Sequence, residues 1–202
     1  MARPREFDEE EVLMAAIDAF WTNGYEGTST RELVRRTGLS QPSLYNAFGD
    51  KRGLFRRALK AYGAWTVRDR ISHLEAVLSP AHALTAYFDD VIESAMTDSL
   101  HRGCLLVNAG LCASVDDHEL KQSVAEDIEE IRHFFERCMT YGRQSGELTV
   151  SVSPRAAADH LFAILLGIKV QAKVNPDTTS LKAVVATAFA TLGINSLPPI
   201  GA

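Results

Sequence analysis

Several absences narrow the field. Three cysteines, an odd number with no C-x-x-C pair, make neither a disulfide framework nor a zinc site, and the six histidines lack metal-ligand spacing. No apolar run approaches the ~20 residues a membrane helix needs, and the opening residues MARPREFDEEE hold no apolar signal core. A cytoplasmic protein without metal, cofactor or membrane partner is expected. Proline and glycine are sparse and fall between helical patterns, and repeats and low-complexity segments are missing. The 46% hydrophobic content is enough for a sizeable core in one or two domains. An all-α fold of about nine helices follows.

The most informative stretch is Ser29 to Lys51, STRELVRRTGLSQPSLYNAFGDK, which reads as a helix-turn-helix. Thr28 or Ser29 can cap its first helix, Leu33 and Val34 face inward, and Thr37-Gly38 ends it with a glycine suited to a left-handed cap. Ser40 then caps a second helix with Pro42 in its first turn, and Leu44, Ala47 and Phe48 form the buried face. Gln41, Pro42, Ser43, Tyr45 and Asn46 are left pointing outward. These amides, hydroxyls and apolar groups suit base edges and methyls in a major groove, and none is a carboxylate that repels phosphate.

Charge supports this only locally. The whole chain carries −5, but Gly27 to Lys60 holds eight Lys or Arg against two Asp or Glu. A basic head on an acidic body suggests a small DNA-reading domain, residues 1–52, joined to a body of residues 53–202 that does not touch DNA. An arm with Arg3 and Arg5 precedes a first helix that Asp8 caps, with Val12, Ala15, Ala16, Ala19 and Phe20 inward and Gly24 at its end. Asp50 caps a long fourth helix reaching toward Leu78, and its first residue, Lys51, can grip a phosphate beside the reading helix. Pro80 opens the fifth helix, a short sixth follows Gly103, and Asp116, with a Val115–Leu120 staple, starts the seventh. Pro154 opens the eighth, to about Val174, and the ninth runs from about Thr178 to Gly193. The last two are apolar over much of their surface. They either share one core or pair with the same helices of a second copy, and paired half-sites on DNA favour the homodimer.

The elements Gly24-Tyr25, Thr28-Ser29-Thr30-Arg31, the glycine turn, and Leu44-Tyr45-x-x-Phe48-x-x-Lys51 resemble the TetR family of bacterial one-component transcriptional regulators. The likeness is strongest from Phe20 to Phe55. It implies an N-terminal three-helix DNA-binding domain and a helical C-terminal domain for ligand sensing and dimerisation. Tyr45 and Lys51 would hold phosphates, helped by the hydroxyls of Thr28 and Thr30, while Arg31, Gln41, Pro42 and Ser43 would contact bases. It further implies a homodimeric repressor released from a palindromic operator by a small molecule; activation through the same fold is the alternative.

The input has two readings. In His101-Arg102-Gly103-Cys104 the sulfur stands at a helix opening beside basic residues, which favours thiolate; alternatively Cys104 is a small buried hydrophobe. The Gly103-Cys104-Leu105 run, with Leu166-Gly167-x-x-x-Gln171-Ala172-Lys173, is similar to a branch of the family, repressors of N-ethylmaleimide reductase, that senses electrophiles and reactive chlorine through cysteine. That similarity implies Cys104 and Lys173 as a sensing pair. The competing input is a ligand pocket lined by Trp65, Phe88, Met96, Phe134 and Phe162, with Asn108 or His133 adding polarity. A different class, a cysteine-dependent enzyme using Cys104 and His101, lacks a recognisable third orienting group and leaves the basic head unexplained.

Overall fold

Side-chain oxygens and glycines set most helix boundaries. Asp8 accepts the amides of Glu10 and Glu11 at 2.8 and 3.4 Å, Ser29 that of Glu32 at 3.2 Å, and Ser40 that of Ser43 at 3.3 Å. Asp50 accepts from Gly53 at 2.7 Å, Ser153 from Ala156 at 3.2 Å, and Asp177 from Thr179 and Ser180. Pro42, Pro80 and Pro154 each stand in a first helical turn, where no intrahelical donor is lost.

The computed structural model describes residues 7–113 and 117–194. The Arg3–Arg5 arm and the Val115–Asp116 cap lie outside the described residues. Within them Asp117 accepts from Leu120 N–H at 3.2 Å, one residue after the expected cap. The helices are α1 (Glu9–Gly27), α2 (Thr30–Thr37), α3 (Gln41–Phe48), α4 (Lys51–Gly63), α5 (Asp69–Val77), α6 (Pro80–Thr97), α7 (Leu105–Cys112), α8 (His118–Ser145), α9 (Pro154–Val174) and α10 (Thr178–Thr191). A π-helical turn, Ala64–Arg68, joins α4 to α5 without a break. Counted as one rod, those three segments bring the described helices to nine, as expected, with no strand among the described residues.

The chain divides into two units, and not at residue 52. The first takes the described residues through Thr66 together with those of Leu105–Val124; the second takes Val67–Cys104 and the described residues from Ala125 onward. The first unit extends past Lys51 because α4 packs along α1, burying Leu54, Phe55, Ala58, Leu59 and Tyr62. Phe20 meets Phe55 edge-on at 4.8 Å, Trp21 meets Tyr62 at 5.3 Å, and α7 joins α1 and α4 through buried Leu105, Leu106 and Ala109. Leu44 and Phe48 seat α3 in this core. At the α3–α4 corner the backbones approach so closely that a methyl group on Gly53 would stand 2.1 Å from the Phe48 carbonyl oxygen.

In the second unit α6 packs against α5, α9 and α10, around a cluster of rings. Phe88 stacks on Phe135 at 5.5 Å and meets Phe189 edge-on at 5.6 Å, while Tyr87 meets Phe134 at 5.4 Å. Asp127 is 1% exposed and pairs with Arg68; burial raises its carboxyl above the ordinary range and the guanidinium opposes that shift.

Gly53→Ala should therefore destabilise the protein by about 1–3 kcal/mol in urea unfolding, the range for a side chain forced into a filled space. An unchanged midpoint would show that α3 and α4 are free to separate.

Candidate nucleic-acid interface

The reading unit is built from two eight-residue helices and a three-residue turn. Gly38 adopts φ 70, ψ 0, a left-handed geometry that costs an L side chain energy, and its N–H donates to Val34 at 3.1 Å. Leu33 and Leu44 are completely buried, one beneath each helix. Gln41, Pro42, Ser43 and Asn46 are exposed, and α3, QPSLYNAF, carries no charge. The face that sequence reasoning assigned to DNA is thus free and without carboxylates.

Two contacts fix the edge of this face. The Tyr45 phenol and the Thr30 hydroxyl lie 2.7 Å apart, tying the C-terminal half of α3 to the first residue of α2. One of their two protons satisfies that bond, which leaves the other hydroxyl a donor for an oxyanion. Lys51 Nζ, at the start of α4, stands 4.4 Å over the Tyr25 ring in a cation–π contact. Ser43 shares a 2.9 Å hydroxyl contact with Ser40.

The basic character of the head is smaller than the local count implied. Arg35 and Arg36 both bind Glu32, at 2.6 Å each, and Arg36 also reaches Asp18. Arg52 pairs with Asp117 at 2.7 Å, Arg56 with Glu119 and Arg57 with Glu9. Five of the eight cations are therefore neutralised by carboxylates, four of which lie outside the counted window. Arg31 is exposed and has no ion-pair partner among the described residues. The Arg35 and Arg36 hydrogen bonds hold the Glu32 carboxyl down at about 2, below an ordinary 4.5.

Thr28 needs correcting. It is 0% exposed and its hydroxyl donates to the carbonyls of Ala19 and Gly24, at 3.2 and 2.6 Å. It closes the end of α1, where Gly24 leaves helical geometry at φ 71, and cannot reach a phosphate; Ser29 is the cap of α2.

The residues expected to sense a signal, Cys104 and Lys173, lie in the second unit. Cys104 is partly exposed and immediately precedes α7, after a loop that Asp98 organises by accepting the Leu100 and Arg102 amides. A methyl group on Gly103 would meet Lys173 Cδ at 3.3 Å, so the Lys173 stem lies over the residue before Cys104. Sequence reasoning missed Lys169, one turn earlier on α9, whose amine is electrostatically coupled to Cys104. The i, i+4 spacing from Lys173 was the available signal. Cys112 is exposed, and Cys138 is buried with its thiol pushed up to about 12 by that burial.

The expected pocket lining does not hold for its central members. Phe88 and Phe134 are 1% and 0% exposed, whereas a ring facing a water-sized cavity retains accessible area. Phe162 is buried beneath the Arg132 guanidinium, 4.8 Å away. Met96 is partly exposed in the second unit, Trp65 and Asn108 are partly exposed in the first, and His133 pairs with Glu129 at 3.4 Å.

A carboxylate-free reading helix seated by a glycine turn, with a lysine at the next helix start, defines a DNA-binding transcriptional regulator. Comparison with known proteins agrees. Residues 12–58 match the model of bacterial regulatory proteins, tetR family, and residues 80–188 that of the tetracyclin repressor-like C-terminal domain. The chain belongs to the TetR family. It is 25% identical to the HTH-type transcriptional repressor ComR of Escherichia coli (strain K12), over 92% of this chain and 89% of ComR. The structure of the TetR family transcriptional regulator CifR, a cysteine mutant complexed with 26 bp operator DNA, superposes with a TM-score of 0.82 at 31% identity, covering 95% of this chain and 100% of CifR. Reduced NemR of E. coli shares the fold, with a TM-score of 0.82 at 20% identity over 93% of this chain and 98% of NemR.

Because the folded Glu32 value is depressed, its ion pairs stabilise the head above the ordinary carboxylate range and are lost as pH falls through about 2. A carboxyl-carbon NMR titration should place the Glu32 midpoint near 2; a midpoint at the ordinary 4.5 would mean that the Arg35 and Arg36 contacts do not persist in solution.

Proposed function

We propose that the protein is a homodimeric repressor that reads a palindromic operator with α3 and releases it when Cys104 is modified by an oxidant or electrophile. The observation that carries the DNA reading is the exposed, uncharged face of α3, with the Thr30–Tyr45 pair and Lys51 at its edge. Arg31, Gln41, Pro42, Ser43 and Asn46 are the base-facing groups, and Thr30, Tyr45 and Lys51 the phosphate-facing ones. ComR is named a repressor and a CifR structure holds operator DNA, which supports the same role here.

The homodimer is supported by exposed apolar surface on the last two helices. Ala156, Ala163, Gly167, Val170 and Val174 recur at helical spacing along one side of α9, with Val170 51% and Val174 78% exposed. Ile164 and His160 on α9, with Ala183, Val184, Thr187 and Thr191 on α10, line an open groove of about 360 Å³. Small side chains allow close approach of a second α9–α10 pair, giving a four-helix interface.

The signal reading rests on partly exposed Cys104 with the Lys173 stem over Gly103. A peroxide converts the thiol to a sulfenic acid with release of water, and condensation with an amine such as Lys173 releases a second water and forms an S–N bond. The path to the head is covalent: the chain runs from α5 through the π-helical turn into α4, whose first residue is Lys51. The enzyme alternative finds no support, because the His101 ring Nδ1 is buried without a hydrogen-bond partner among the described residues and nothing there orients it as a base.

Two measurements test the core of this reading. Gln41→Ala should relax base preference at one operator step by about 1–3 kcal/mol, whereas Lys51→Ala should weaken all duplexes alike and lower the slope of log K against log salt by about 1. Equal loss on every sequence after Gln41→Ala would remove α3 as the reading element. Val170→Glu should convert the dimer to monomer in sedimentation and reduce operator affinity at least tenfold; a dimer that survives it pairs through another surface.

A further inference from the structure

Cys104 is not alone in its corner of the second unit. Arg70 on α5, Tyr87 on α6 and Lys169 on α9 share it: the charges of Cys104 and Arg70 both act on Tyr87 and on Lys169. The turn of α9 from Lys169 to Lys173 lies against the loop, since a methyl group on Gly103 would come within 3.7 Å of the Lys169 carbonyl oxygen as well as 3.3 Å of Lys173 Cδ. The amine end of Lys169 is deeply buried while part of its side chain remains open to solvent. Among the described residues no carboxylate pairs with it. Asp90 on α6 pairs with Arg70 at 3.9 Å, and Asp98 in the loop with Arg102 at 3.2 Å.

A buried ammonium without a counter-ion only costs stability, so a structural role does not account for this lysine. Burial pushes Lys169 below the ordinary lysine range, Cys104 opposing and Arg70 adding to the shift. That shift leaves a larger share of free, nucleophilic amine than an exposed lysine has. Burial likewise raises the Tyr87 phenol, so it stays protonated and able to donate a hydrogen bond. The loop is itself strained: His101 has φ 47, and its Nδ1 is buried without a partner among the described residues.

We propose that Cys104 and Lys169 form a two-point covalent site for α,β-unsaturated aldehydes, in which sulfur takes the β-carbon and the Lys169 nitrogen takes the carbonyl carbon. The proposal rests on Cys104 as the sensing residue and names the class of signal. In the first step the S–Cβ bond forms, the alkene electrons move to the α-carbon, and the thiol proton ends there, leaving a saturated aldehyde. In the second the amine adds to the carbonyl to give a carbinolamine, with Tyr87 the phenol that can hydrogen-bond the developing oxyanion, and loss of water leaves an imine. No oxidant is consumed. An aldehyde held at both ends joins the loop before α7 to the C-terminal third of α9, which a thiol adduct alone does not do.

The test uses the full chain, reduced, treated with one equivalent of crotonaldehyde and followed by intact mass, hydrazide labelling and peptide mapping after borohydride. The wild-type adduct should be one water lighter than the added aldehyde and unreactive to hydrazide. Borohydride should fix it as a cross-link between the peptides that carry Cys104 and Lys169. Lys169→Met, an apolar replacement of similar length whose fold is checked by circular dichroism, should retain the full aldehyde mass on Cys104 with a hydrazide-reactive carbonyl. A wild-type Cys104 adduct with an open carbonyl, or a cross-link through Lys173 that persists in Lys169→Met, would overturn the two-point site while leaving Cys104 as the sensor. No adduct on Cys104 at all would overturn both.

Discussion

An eight-residue helix has no stability of its own in water, so the reading surface exists only because Leu44 and Phe48 are buried beneath α3. Everything else in the first unit serves that burial. Phe20, Phe55 and Leu33 supply the floor, the left-handed turn at Gly38 aims α3 across α2, and the absent side chain at Gly53 lets α4 start against the end of α3. With the buried side fixed, the outward residues have no freedom to choose another face, since the helical repeat ties Gln41, Pro42, Ser43 and Asn46 to the side opposite Leu44.

The electrostatics of the head show the same economy. Most of its arginines are paired with Glu9, Asp18, Glu32, Asp117 and Glu119, and only a few cations remain to meet phosphate. Exposed pairs of this kind contribute little stability each and weaken with salt. In the proposed reading of DNA they remove indiscriminate positive charge, so that binding would depend more on Lys51, Arg31 and the neutral groups of α3 than on a basic patch.

Local chemistry was legible in the sequence. Caps at Asp8, Ser40 and Asp50, the glycine ends of α1 and α2, and the buried faces of α3 and α4 all follow from near neighbours in the chain, and the structure has them. What escaped depends on partners distant in sequence. Thr28 looked like a phosphate-facing hydroxyl because its burial needs the carbonyl of Ala19, nine residues back. The charge count misled because Arg52 and Arg56 meet carboxylates more than sixty residues away. Phe88 and Phe134 were candidate pocket residues although such rings are more often plain core, and the packing of Tyr87, Phe135 and Phe189 around them makes them core. Lys169 was passed over because a lysine in a helix usually reaches water; its amine does not.

The central claim is that α3 selects a DNA sequence. Selection of bound duplexes from a random pool by the reduced protein tests it most directly, because no operator has to be chosen in advance. The proposed homodimer predicts an enriched inverted repeat with half-sites about one helical turn or a multiple apart. A pool that stays random through repeated rounds, with the protein folded and binding in low salt, would contradict it.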